Sequence, residues 1–315
     1  MEKTLSLFKK FLPIIIVVSF VATVFGLFTL MYYYDKSTIS IQFKNIIPII
    51  TAVFLVAAYG VAICFSFKVK TLHIKRIKKD SNFSKFATAL AAVLVTALFL
   101  FNFIQLVQNS SLPVFKVLRL IVSIPFIAYL VLGLIPRKIN RKVVKIPTWL
   151  TYIASVCAIL WCIFSLLALY FWSGPQALPT TNVFRLFHLF YYAVAIVFFI
   201  SEVGFEIFSK GHKLYVLASS CLFITSCVIT GSIMFAIFLG KIPEVSLSAI
   251  EIFASFSIGI YALSKMFAVG KTISHVMKQE DSSRSHHHHH HHKSSKAKVT
   301  ESGSTKSAIP NDIDI

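Results

Sequence analysis

Charge is scarce in this chain, and most of it has one sign. Only 14% of the 315 residues are charged, with 31 lysines and arginines against 12 aspartates and glutamates. A soluble globule carries about 25% charged residues, so the composition argues against a soluble domain. Paired cysteines are also lacking. The five, Cys64, Cys157, Cys162, Cys221 and Cys227, form no C-x-x-C and all fall in apolar stretches, where they read as small packing residues rather than disulfide partners. There is no H-E-x-x-H, no G-x-x-x-x-G-K-[ST] and no G-x-S-x-G, which removes the common zinc-protease, P-loop and serine-hydrolase signatures. Also absent is an adjacent Glu-Glu pair with partner histidines of the kind found in intramembrane CAAX-type proteases. No cofactor motif appears.

Apolar length is what the chain has in quantity. Of its residues 57% are hydrophobic. A helix that crosses the roughly 30 Å hydrocarbon core needs about 20 mostly apolar residues. Eight stretches meet this: Phe11–Tyr33, Ile46–Phe67, Ala87–Val107, Leu118–Ile135, Trp149–Trp172, Phe184–Phe208, Leu214–Leu239 and Ala249–Val269. Long apolar runs rather than short alternating segments predict helices and not a barrel. The fold class that follows is all-α: a polytopic integral membrane bundle of eight transmembrane helices over residues 1–270. A His/Ser/Lys-rich tail, 271–315, is too poor in large apolar residues to fold. The first span is longer than a signal-peptide core and lacks a small-residue cleavage site, so it is expected to be retained.

The net charge of +19 does not point to nucleic acid, because the basic residues are sorted by side. Segments on the side of the N-terminus hold 24 of the 31 and the opposite loops hold six, among them Lys116, Arg119 and Arg185. This is the positive-inside asymmetry, and it predicts both termini in the cytoplasm of a multi-pass cell-membrane protein. The densest group is the loop 68–85, with Lys75, Arg76, Lys78 and Lys79. It reads first as a topology determinant and second as a contact for anionic lipid. The short loops leave no room for an attached catalytic domain. Beyond the lipid bilayer, the partner this architecture suggests is another membrane protein.

Candidate chemistry is confined to a few polar side chains inside spans. Glu202 and Glu206 lie at i and i+4 on the sixth span and share its face with His188 and Tyr192. On the eighth, Glu251, Ser255 and Lys265 form one stripe. The two spans run in the same direction, so depths can be matched: Glu202 or Glu206 with Lys265, and Arg185 or His188 with Glu251. If the spans are neighbours, these are two ionic rungs with apolar helix between. Intramembrane charges are costly and usually face the interior or a cavity. The set therefore reads either as an ion or proton relay or substrate site, or as pairs that fix helix order. Glu206 and Lys265 are also placed to snorkel. Glu202 is deeper, about 9 Å from the span end. Asn102 and Gln105 on the third span read as interhelical hydrogen-bonding groups. Pro125 is expected to kink the fourth span. Tyr32, Tyr33, Trp149, Tyr170 and Trp172 read as interface aromatics.

The tail carries seven consecutive histidines: His286, His287, His288, His289, His290, His291 and His292. Imidazoles bind Zn²⁺, Ni²⁺ and Cu²⁺, so the run reads as a metal sensor or store, as a tag, or as a low-complexity tract. No intramembrane ligand cluster accompanies it in the sequence.

The stretch Phe184 to Tyr192 (FRLFHLFYY), then Ile200 to Glu206 (ISEVGFE), then Lys210 to Tyr215 (KGHKLY) resembles a pattern in multi-span membrane proteins of clostridia-type Gram-positive bacteria. In those an apolar helix ends in a Glu-containing segment, followed by a short basic turn and another span. The resemblance implies a bacterial plasma membrane and carries no activity. The functional expectation is a non-enzymatic membrane component: a sensor, an assembly partner or the membrane subunit of a complex. A secondary transporter with an ionisable site at Glu202, Glu206 and Lys265 is the alternative.

Overall fold

The computed structural model describes residues 2–32, 34–35, 40–41, 46–69, 82–108, 113–135, 138–139, 142–143, 148–171, 183–206, 211–239 and 248–291. It is an all-α bundle with eight helices long and apolar enough to cross a membrane. They are α1 (Glu2–Tyr32), α2 (Ile46–Lys68), α3 (Asn82–Gln108), α4 (Val114–Leu134), α5 (Thr148–Tyr170), α6 (Val183–Glu206), α7 (His212–Phe238) and α8 (Ala249–His291). Two loop hairpins add paired strands of two residues each, Tyr34–Asp35 with Ser40–Ile41 and Lys138–Ile139 with Lys142–Val143. One compact unit ends at Ser274, and residues from His275 onward form a second. The helical assignment of α8 passes residue 270, where the tail was expected to begin, and reaches His291.

Hydropathy and burial are inverted, as lipid demands. The most buried span is Ala249–Ser274, whose most apolar 18-residue stretch is 78% buried, and it is the least apolar, with a mean hydropathy of 1.6 over that stretch. In Ile46–Lys68 the corresponding stretch has a mean hydropathy of 2.5 and is only 17% buried. Lipid is as apolar as leucine, so no hydrophobic force drives helices together. The polar helix goes to the centre because its side chains need partners that lipid lacks.

Contacts place α8 at that centre. Gly270 lies against Phe8 of α1, and Phe267 meets the ring of Phe83 on α3. Glu251 bonds Arg119 of α4, Tyr191 of α6 donates to the carbonyl of Ser255, and Ser220 of α7 reaches Met266. Around it α3, α4, α5, α6 and α7 pack as successive neighbours, and α1 and α2 pack on each other and on α7.

Small residues set the closest approaches. Gly259 of α8 faces Ser226 of α7 so tightly that a Cβ there would lie 2.2 Å from the serine side chain. Gly26 of α1 sits against Ser232 of α7, whose hydroxyl donates to the carbonyl of Thr23 at 3.1 Å. Between these contacts α7 leaves α-geometry for one π-helical stretch, Ser226–Gly231. Many hydroxyls inside spans bond back to the carbonyl three or four residues earlier, as Ser201 does to Phe198 and Thr230 to Ser226, which satisfies them without water. α4 runs through Pro125 as one helix, and the five cysteines are free thiols. Tyr32, Trp149 and Tyr170 are exposed near helix ends, while Tyr33 and Trp172 lie outside the described residues.

One interhelical bond is accessible to a simple test. Tyr59 of α2 and Thr225 of α7 approach to 2.6 Å through their hydroxyls. Tyr59→Phe should cost about 0.6 kcal/mol and at most about 1.7 kcal/mol, read as a lowered unfolding midpoint in detergent.

Candidate functional site

Among the described residues two ion-paired clusters occupy the interior, and α8 supplies a member of each. Glu251 and Lys265 are 14 positions apart in the sequence, or about 21 Å along the helix at 1.5 Å per residue.

The first cluster draws one side chain from each of four helices. Arg119 Nη1 lies 2.5 Å from Glu251 Oε1. Arg119 Nη2 donates to Asn102 Oδ1 at 3.2 Å, and Asn102 Nδ2 donates to the carbonyl of Leu98. The Tyr192 hydroxyl donates to Glu251 Oε1 at 3.1 Å. All four residues are buried. Local sequence explains the placement. Arg119, Ser123, Phe126 and Leu130 are buried along one stripe of α4, and the Ser123 hydroxyl bonds back to the carbonyl of Arg119.

This corrects the expected pairing of Glu251. Its ion-pair partner is Arg119, not Arg185 or His188. Arg119 already falls inside the expected span Leu118–Ile135, although it is counted with the outer loops, and the start of α4 at Val114 places it in the second turn of the helix. Arg185 is buried, and its Nη2 donates to the carbonyl of Tyr170 at 2.6 Å. His188 is buried as well, one turn before Tyr192. What α6 brings to Glu251 is the hydroxyl of Tyr192.

The second cluster joins α6 and α8. Lys265 Nζ lies 2.7 Å from Glu202 Oε1, and the Tyr261 hydroxyl donates to the same oxygen at 2.9 Å. Lys265 also sits over the Tyr261 ring, 4.8 Å from its centroid, as an i, i+4 pair on one face allows. Glu202 is 1% exposed. Its second oxygen, Oε2, is buried without a hydrogen-bond partner. Glu206 ends α6, and its side chain lies outside the described residues.

Phenyl rings separate the two clusters. Phe199 of α6 meets Phe126 of α4 edge-on, and Phe198 meets both Tyr215 of α7 and Tyr261 of α8. Trp161 of α5 packs against Phe126 and Tyr192. Between the clusters, the side formed by α4, α5 and α6 is therefore filled by aromatic rings.

A cavity of about 310 Å³ lies elsewhere, between α6 and α7, lined by Phe190, Val194, Val197, Leu214, Leu217 and other apolar residues. Neither charge cluster lines it. Among the described residues there is no group of three or more His, Cys, Asp or Glu side chains placed to hold a metal. The histidine tract, the loop residues Lys75, Arg76, Lys78 and Lys79, and the rest of the tail have side chains outside the described residues. Arg119 is the functional candidate that sequence reasoning missed. The signal that would have found it is its four-residue spacing from Ser123 on an apolar helix.

No family model, curated protein or solved structure matches the chain.

Proposed function

We propose that this chain is a non-enzymatic component of a bacterial plasma membrane, of the sensor or complex-subunit kind. Neighbouring helices hold or release its central helix α8 through two charge pairs. One observation carries the reading: the most buried helix is also the least apolar, and it contributes a partner to both ion pairs described in the interior. A buried ion pair adds little net stability over apolar packing of the same volume. Two such pairs on one helix are better explained by control of that helix's position than by strength. The 24-to-6 division of basic residues supports cytoplasmic termini and an anionic-lipid contact for the loop 68–85. Secondary transport through Glu202 and Lys265 is the second reading, favoured by the burial of both charges within spans.

Hydrogen exchange of the full-length protein in lipid nanodiscs tests this. Glu202→Gln leaves the Lys265 ammonium buried without its carboxylate, so it should speed exchange of the α8 amides by about a hundredfold or more while α1 and α2 stay unchanged. Equal protection of α8 in wild type and variant would make the pairs packing devices and remove the switch.

A further inference from the structure

We infer that Glu202 is a proton-binding site, in which Oε2 takes a proton from water and thereby weakens the hold of α6 on α8. The inference deepens the reading above and rests on it for its consequence, though not for the binding itself.

The geometry divides the carboxylate into two unlike halves. Oε1 is saturated: it faces the Lys265 ammonium at 2.7 Å and accepts from Tyr261 at 2.9 Å. Oε2 is buried and accepts from nothing. A buried carboxylate oxygen without a donor is among the most costly arrangements in a protein interior. A membrane removes the water that would otherwise relieve it. Placing a proton on Oε2 forms one O–H bond and cancels the carboxylate charge. It breaks no contact, because Oε1 still accepts from Tyr261 and Lys265. What changes is the electrostatics, since the ammonium then faces a neutral acid where it had faced a full negative charge.

The surroundings favour a proton over a larger cation. A metal ion at Oε2 would sit close to the Lys265 ammonium on the same carboxylate. It would also need several oxygen ligands, and no acidic, cysteine or histidine cluster is there among the described residues. Other titratable groups on helices packed against α6 have aromatic neighbours on that helix. From α8 they are Lys265, Tyr261 and, at the other cluster, Glu251 on Tyr192, and from α2 Tyr59 lies against Phe190. From α7 they are Tyr215, against Phe198 and Phe205, and His212, against Phe205. From α4, Tyr129 follows the Phe126 that meets Phe199. From α5, Cys157 lies one turn before Trp161. Lys265 is the only charged side chain that the described ion pairs give Glu202, so a change of charge on Glu202 acts on α8 before any other helix.

Infrared difference titration of the full-length protein in lipid nanodiscs decides the matter, in potassium buffer and again in sodium buffer. Acidification should produce the C=O stretch of a protonated acid that Glu202→Gln removes. The midpoint should be the same in both salts. Tyr261→Phe keeps the carboxyl but deletes a donor to Oε1, so the acid band should persist with its C=O stretch moved to higher frequency. This second variant serves if Glu202→Gln does not fold. Absence of a Glu202-dependent acid band overturns the proposal. So does a carboxylate stretch that answers to sodium and not to pH, which would make the ligand a metal cation. If α8 exchange responds to Glu202→Gln while no acid band appears, the switch stands and the proton does not.

Discussion

Glu251→Leu is expected to destabilise the bundle by about 3–5 kcal/mol, because it leaves the Arg119 guanidinium buried without its carboxylate. Arg119 is 3% exposed and lies 2.5 Å from Glu251. The remaining partners, Asn102 Oδ1 at 3.2 Å and the Tyr192 hydroxyl, are neutral and cannot compensate a full charge. The double variant Arg119→Met with Glu251→Leu should recover most of the loss, since removing both charges removes the desolvation penalty with them. Complete recovery is not expected, because Asn102 and the Tyr192 hydroxyl each lose a partner. Unfolding midpoints of the single and double variants in detergent check this. A single variant within about 1 kcal/mol of wild type would mean that water reaches the pair.

The second large effect belongs to a position with no charge. Gly259→Ala should cost about 3 kcal/mol, at the upper end of overpacking penalties. A Cβ there would meet both Cβ and Oγ of Ser226 at 2.2 Å. Rotating the serine hydroxyl clears Oγ but cannot move Cβ, so α7 and α8 must separate. Ser226→Gly in the same chain should restore stability, because the next atom in the way is the Leu222 carbonyl oxygen at 3.7 Å, an ordinary contact. The comparison is internal. If the double variant is no better than Gly259→Ala alone, the cost comes from something other than this contact.

These two positions mark where the sequence was readable and where it was not. Eight spans were legible because the length of an apolar run is a one-dimensional property. So was the depth match of Glu202 with Lys265, since two parallel helices of known direction carry their own ruler. The partner of Glu251 was not legible. Three basic residues, Arg119, Arg185 and Lys116, lie near helix starts at comparable depth, and depth alone does not say which helix adjoins α8. That choice is made by packing around the axis, through contacts such as Phe126 on Trp161 and Phe199. Asn102 was legible as an interhelical hydrogen-bonding group, but its partner depended on the same choice. Gly259 was invisible for another reason: a glycine in a span announces close approach only when the facing residue is known.

The π-helical stretch Ser226–Gly231 has a consequence for how α7 is numbered. A π turn carries about one residue more than an α turn, and one residue of an α-helix is about 100° of rotation. The two ends of α7 are thus out of phase, and no single helical wheel describes it. Tyr215, Ser219 and Leu222 belong to one frame, Ser232, Ile233 and Ala236 to another, and the slip between them lets one helix serve two neighbours, α8 at Gly259 and α1 at Gly26. Seen this way the stretch is a frame-shift in three dimensions. A homologue lacking one residue here would keep both halves of the helix but present one of them to the wrong partner.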